Sequence, residues 1–330
     1  VRRHVVEAFF RARASRSRCS DRATGAVFGF HFKVAATPLA SKKTKPEQGG
    51  NRLGKTYIFF GSSTKLQGTL SLETADASIV GNDAGAEAAH IKGAGDLDND
   101  GYDDIIIGSG FNTQVGAEAG KIYVFFGRDR NEWQVDADIE AFSDASFLAE
   151  SAGDWAGHRV SGLGDVNGDG YDDMLIGANH RANGDLNLAG ETYLVLGKAH
   201  DGWAKDVSLE NADASWIGDI NKMQLGWNVS QVGDVDGDGL ADILTSSDKS
   251  QYYLILAKDI NYSSNQPISS SFTARLSHAT TVADAIGHDI SGLGDLNQDG
   301  FYDFLIGGPN VNSSTGETYL LLGRDTWPAT

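Results

Sequence analysis

A single cysteine and five prolines stand in a chain of 330 residues, and no apolar run reaches the ~18 residues that a membrane-spanning helix needs. The cysteine, Cys19, falls among the first fifty residues, so the remainder has no disulfide and no thiolate metal site. Whatever staples that remainder is not sulfur. Few prolines beside 41 glycines favour many tight turns over a proline-rich linker. Basic residues are scarce after residue 50. Residues 51–330 hold 16 Lys/Arg against 42 Asp/Glu, a net of −26, whereas residues 1–50 hold 11 against 3, a net of +8; together they give the formal −18 of the chain. A body that acidic excludes nucleic acid and anionic membranes as partners of its general field, and it attracts cations. An apolar 3.6-residue period is missing too: Gly or Asn interrupts every candidate within three turns, so helices are not expected.

What is present is a repeat. "GAGDLDNDGYDDIIIG" begins at Gly93, "GLGDVNGDGYDDMLIG" at Gly162, "QVGDVDGDGLADILTS" at Gln231 and "GLGDLNQDGFYDFLIG" at Gly292. Their first loop aspartates, Asp96, Asp165, Asp234 and Asp295, are 69, 69 and 61 residues apart. A second element follows each: "GKIYVFFG" ending at Gly127, "GETYLVLG" at Gly197, "SQYYLILA" at Ala257 and "GETYLLLG" at Gly323, with an extra copy, "GKTYIFFG", ending at Gly61. A third, "ADAS" or "SDAS", starts at Ala75, Ser143 and Ala212, and the last unit has "FTARLSHATT" in its place.

Runs of β-branched and aromatic residues punctuated by Gly, Asn and Asp give each unit about four short strands. Around residue 165 these are 158–163, 172–178, 190–196 and a fourth at either 213–218 or 145–149. Four-stranded units every 60–70 residues predict the blades of an all-β propeller; a β-helix would need a rung of far fewer residues.

Phe126–Gly127 and Phe60–Gly61, with "GAN" at 177–179 and "GGP" at 307–309, resemble the FG-GAP repeat over residues 51–330. That family forms the β-propeller at the head of integrin α subunits and occurs in bacterial secreted and surface proteins. The resemblance implies a ring of about seven blades, of which this chain holds four full repeats plus partial ones, so a fragment of a larger ring is expected. The third unit departs, with Ala257–Lys258 for "FG" and Ser246–Ser247–Asp248 for "GAP". Units are drawn at 62–127, 128–197, 198–257 and 258–323. Residues 1–50, Arg-rich and with no acidic loop ahead of Gly61, read as a non-propeller segment, foreign to the fold and outside any strand ladder.

The acidic loops carry the chemistry. Counted from the first aspartate, oxygens stand at positions 1, 3, 5 and 9: Asp96, Asp98, Asp100 and Asp104; Asp165, Asn167, Asp169 and Asp173; Asp234, Asp236, Asp238 and Asp242; Asp295, Asn297, Asp299 and Asp303. Position 7 (Tyr102, Tyr171, Leu240, Phe301) offers a backbone carbonyl, and Gly at position 6 permits the sharp turn. Five protein oxygens plus water suit Ca²⁺, which takes 6–8 oxygens, better than octahedral Mg²⁺. An EF-hand fails because position 12 is Ile107, Ile176, Thr245 or Ile306 rather than a bidentate Glu. A metal-free Asx-rich turn accounts for one such loop but not for four with oxygens at the same offsets. The expectation is about four Ca²⁺ ions in a structural role.

His158 and His288, at equivalent places with Trp227 in a third unit, read as packing residues at strand starts. "GAGD" and "GLGD" lack the following Lys-Ser/Thr of a phosphate loop. No nucleophile elbow, zinc-type His pair or separate acidic dyad is visible, so an enzyme is not expected. The resemblance implies an extracellular binding or adhesion module for a protein or glycan ligand at a cell surface or matrix. The alternative is the propeller of a secreted hydrolase or lyase acting on polysaccharide or phospholipid.

Overall fold

A computed structural model describes residues 32–38, 54–61, 71–81, 90–248, 251–277, 289–308 and 316–327. Its strands form five sheets. The first holds β1 (Phe32–Pro38), β2 (Gly54–Phe60), β3 (Ala77–Val80) and β7 (Ala137–Asp138). The second runs β4 (His90–Gly95), β5 (Asp104–Ser109), β6 (Lys121–Phe125), β8 (Ala145–Leu148) and β12 (Val207–Ser208). The third repeats that plan with β9 (Arg159–Gly164), β10 (Asp173–Ala178), β11 (Glu191–Val195), β13 (Ala214–Ile217) and β17 (Gln266–Pro267). The fourth has β14 (Asn228–Gly233), β15 (Asp242–Ser246), β16 (Gln251–Ile255) and β18 (Ala274–Ser277); the fifth has β19 (Asp289–Gly294), β20 (Asp303–Gly308) and β21 (Glu317–Leu321). This is an all-β propeller architecture, and the only α-helix among the described residues is α1 (Ile139–Phe142).

The fourth strand of the unit around residue 165 is thus β13, not the segment at 145–149, which closes the preceding sheet. The sheets therefore start and end one strand later than the units drawn at 62–127, 128–197, 198–257 and 258–323. A further strand was not expected. After the antiparallel strands, three in the first sheet and four in the second and third, the next unit lends a two-residue strand in parallel: β7 beside β3, β12 beside β8 and β17 beside β13. Of the first fifty residues, 32–38 are described, and these lie in a strand ladder that was not expected: β1 pairs antiparallel with β2 from Phe32↔Phe60 to Pro38↔Gly54. Its partner would otherwise present an unpaired edge, and a β-tolerant run ending in proline can cover that edge.

Cores lie between sheets, not within them. In β10 and β11, Met174, Ile176, Tyr193 and Val195 face one core shared with β5, β6 and β8. Leu175 and Leu194 face the next, shared with Val229, Ile243 and Tyr253. Strands buried on both faces need continuous apolar runs, which is why "DMLIGA" does not alternate.

"ADAS" now has a structural account. Its Asp accepts the backbone N–H of the residue preceding the "FG" glycine: Asp76 from Phe60, Asp144 from Phe126 and Asp213 from Leu196, each at 2.9 Å. Thr273 does the same for Leu256 at 3.0 Å. Its Ser accepts from the backbone of the next unit, Ser78 from Asp136, Ser146 from Asp206 and Ser215 from Asn265, at 2.7–2.8 Å. One motif thereby pins both its own sheet and the next.

Candidate metal centre

Each innermost strand ends in a bulge with glycine in the left-handed region: Gly95, Gly164, Gly233 and Gly294, with φ of 76°, 96°, 75° and 77°. The bulge swings the chain off the strand into the acidic loop. Inside the loop, glycine at position 6 has φ of 90–97° in all four copies. Position 4 is left-handed as well, with Asn99 and Gln298 in two loops and Gly168 and Gly237 in the others.

The loop carboxylates are organised alike in all four copies. Position 1 accepts the N–H of the position-6 glycine at 2.9–3.0 Å, as in Asp96 Oδ2 from Gly101. Position 5 accepts the N–H of position 7 at 2.8–3.0 Å: Asp100 from Tyr102, Asp169 from Tyr171, Asp238 from Leu240 and Asp299 from Phe301. Position 9 plays a part that spacing did not reveal. Its two oxygens take the N–H of position 2 and the N–H of the "FG" glycine or its replacement. Asp104 bonds Leu97 and Gly127, both at 2.7 Å, and Asp173 bonds Val166 and Gly197. Asp242 bonds Val235 and Ala257, and Asp303 bonds Leu296 and Gly323. The acidic loop and the "FG" element are thus two halves of one structure. Burial pushes the carboxyls of Asp104 up to about 8 and of Asp173 and Asp242 up to about 7, against the pull of those same backbone donors.

The loops are also sewn to one another. Position 8 donates to the position-1 carbonyl of the preceding loop: Asp172 to Asp96, Ala241 to Asp165 and Tyr302 to Asp234, at 2.8–3.0 Å. The residue after "FG" adds a second stitch, from Lys198 to Leu97 and from Arg324 to Val235. The acidic loops therefore form a seam along one rim that crosses from sheet to sheet.

Position 3 separates the four into two pairs. In the second and fourth loops, Asn167 and Asn297 donate Nδ2–H to Asp169 and Asp299 at 2.8 Å. In the first, Asp98 is buried with Oδ2 2.6 Å from His200 Nδ1 and with Oδ1 bonded to nothing. In the third, Lys258 Nζ sits on Asp236 Oδ2. Carboxylate oxygens of Asp96, Asp98 and Asp104 lie within 4.8 Å of one another, as do those of Asp234, Asp236 and Asp238. A buried carboxylate oxygen without a donor is costly. At Asp98 it points to a cation, so the donor set fits a hard metal ion. Asp96, Asp98 and Asp104 would hold it there, and the ion would supply the positive charge that burial denies these carboxylates.

At the other end of the strands lies a ring cluster of which the sequence had marked only His158 and Trp227. Trp155, left-handed at φ 58°, stacks on His180 with centroids 3.6 Å apart and meets Phe111 at 4.9 Å. His158 packs against His90, Trp155 and Trp227 at 5.2–6.2 Å, and burial holds it down at about 4. The sequence marked His158 and Trp227 as equivalent positions, and the same repeat offset between Phe111 and His180 was a second signal for the cluster. His288 lies outside the described residues.

The family model for the FG-GAP repeat matches residues 93–125 and 156–194, which cover the acidic loop and the following strands of the second and third sheets. The family model thus places FG-GAP repeats at these two stretches. The integrin alpha pat-2 of Caenorhabditis briggsae is 27% identical over 214 residues, spanning 61% of this chain and 16% of that protein. The phosphatidylinositol-glycan-specific phospholipase D of Rattus norvegicus is 25% identical over 163 residues, spanning 49% of this chain and 18% of that protein. The chain thus matches less than a fifth of the length of these two relatives. Among solved structures, the Dos1 propeller overlaps 88% of this chain and 53% of that one, with a TM-score of 0.44 and 11% identity, too loose a likeness to add to the strand order.

Proposed function

We propose that this chain is a calcium-stabilised, extracellular FG-GAP propeller that binds a protein or glycan ligand and performs no chemistry of its own. The observation that carries the calcium part is the unpartnered, buried Oδ1 of Asp98 beside Asp96 and Asp104. About four ions, one per acidic loop, would hold the seam between sheets with the residues at positions 1, 3, 5, 7 and 9. The similarity to integrin α chains supports the binding reading. The ring cluster of Trp155, His180 and Phe111, at the end of the strands away from the seam, is the surface best suited to a ligand. The similarity to a phospholipase D supports a second reading, in which the propeller accompanies a hydrolase.

Calorimetric titration with Ca²⁺, followed by arrays of matrix proteins and glycans probed with wild type and Trp155→Ala, tests the proposal. Calcium uptake near four equivalents and ligand capture lost on Trp155→Ala are expected. Absence of uptake removes the calcium reading, and capture that survives Trp155→Ala moves the ligand elsewhere. Phospholipid or polysaccharide turnover by the chain alone would favour the hydrolase reading.

A further inference from the structure

We infer that Lys258 is a built-in counter-cation that competes with calcium for the loop beginning at Asp234, an inference that rests on the calcium reading above. The four units serve as one another's controls. In each, a basic residue follows the "FG" glycine or its replacement: Arg128, Lys198, Lys258 and Arg324. In three units it folds back over a tryptophan a few residues on. Arg128 lies 5.5 Å from the Trp133 ring, Lys198 5.1 Å from Trp203 and Arg324 4.9 Å from Trp327. The third unit reads "AKDINYSSNQP" and has no tryptophan there. Lys258, without that ring, turns instead onto Asp236.

Its reach is set by the backbone. The N–H of Ala257, one residue earlier, is held by Asp242 of the same loop at 2.8 Å, and a 3₁₀ turn over Ala257–Asp259 follows. The lysine is therefore anchored to the loop it neutralises. Asp236 needs such a partner, because its side chain has no exposure and its loop contains no amide like that of Asn167 or Asn297. Where position 3 is Asp, a basic side chain faces it; where it is Asn, none does among the described residues.

A calcium ion bound by Asp234, Asp236 and Asp238 would lie close to that ammonium. It must displace the lysine from Asp236 or tolerate its repulsion. Either way the site binds more weakly than four carboxylates would suggest, so carboxylate count alone misranks the loops. The third loop becomes the last to fill.

Calorimetry on the full chain with Ca²⁺ as titrant tests this with wild type, Lys258→Met, Lys258→Arg and the double variant Asp238→Ala/Lys258→Met. Lys258→Met should tighten one site about three- to tenfold, the order expected for removing a partly solvated charge. Lys258→Arg, which keeps the charge, should behave as wild type. The gain should vanish in the double variant, which deletes a loop ligand. Unchanged or weaker binding by Lys258→Met, or a gain that persists in the double variant, overturns the inference while leaving calcium binding intact. No uptake by any of the four overturns the calcium reading and this inference together. Circular dichroism in chelator establishes that each variant is folded.

Discussion

Strands β11 and β21 are spelled almost alike, Glu-Thr-Tyr-Leu-Val against Glu-Thr-Tyr-Leu-Leu, yet every residue of the first is buried and none of the second is. The difference lies in the neighbours. Strand β11 pairs with β10 and β13 and feeds two cores, one on each face. Strand β21 pairs with β20 and, among the described residues, with no strand on its other side. Local sequence makes the strand, and the adjoining sheet decides whether it is core. Stability in such an array is a sum of unit terms and nearest-neighbour terms.

Calcium removal should give the largest effect, and it probes the seam on which those neighbour terms depend. If each loop sits at ten times its dissociation constant, it contributes about 1.4 kcal/mol, so four contribute about 5–6 kcal/mol. A thermal melt with chelator should therefore shift far down and broaden. Hydrogen exchange under chelation should rise in β20 and β21 before β10 and β11, because the former pair has fewer covered faces. Within the fourth loop, Asp299→Ala should remove more of the calcium-dependent shift than Asn297→Ala, since it deletes a charged ligand. A melting temperature indifferent to chelator ends the argument for calcium.

The contrast can also be broken residue by residue. Leu194 is fully buried between the third and fourth sheets, whereas Leu320, at the same place in β21, is 48% exposed. Leu194→Ala should destabilise by about 2–5 kcal/mol and Leu320→Ala by less than about 1 kcal/mol, measured by denaturant unfolding. Comparable losses from both would mean that β21 is covered in solution, and the comparison between the two strands would fail.

Periodicity, strand positions and the turn glycines were legible in the sequence because each depends on residues close together in the chain. The phase of the sheets was not. "ADAS" sits between two units and bonds to both, so spacing alone could not assign it to β8 or β13 in the sheet around residue 165. The two-residue parallel strands were illegible for another reason: Val207–Ser208 and Gln266–Pro267 are too short to show any period. At the loops, residue types at positions 1 to 9 could be read, but not the double hold of Asp104 on Leu97 and Gly127, which is a relation between elements. The counter-cations were hidden most deeply. His200 is 102 residues from Asp98, and Lys258 turns to Asp236 in the unit that lacks a tryptophan.

The smallest effect is expected from pH, again through the pair of strands. Glu191 opens β11 with its side chain wholly buried, near Arg181 and accepting from the Tyr193 hydroxyl at 2.9 Å. Burial, opposed by bonds from Ser215 and Tyr193 and by Arg181, pushes its carboxyl from 4.5 up to about 7. Between those values the folded chain holds a proton that the unfolded chain has lost. The contribution to stability is therefore full below about pH 4.5 and declines as pH rises, until it is gone above about 7. Glu191→Gln mimics the protonated form at every pH. The melting temperature of this variant minus that of wild type should climb from pH 5 to pH 8, with calcium saturating so that the acidic loops stay ionised. Other groups that titrate in this range, His158 among them, are common to both proteins and cancel in the difference. A flat difference for Glu191→Gln would mean that Arg181 keeps the carboxylate ionised throughout. Burial of β11 would then have no electrostatic consequence to set it apart from β21.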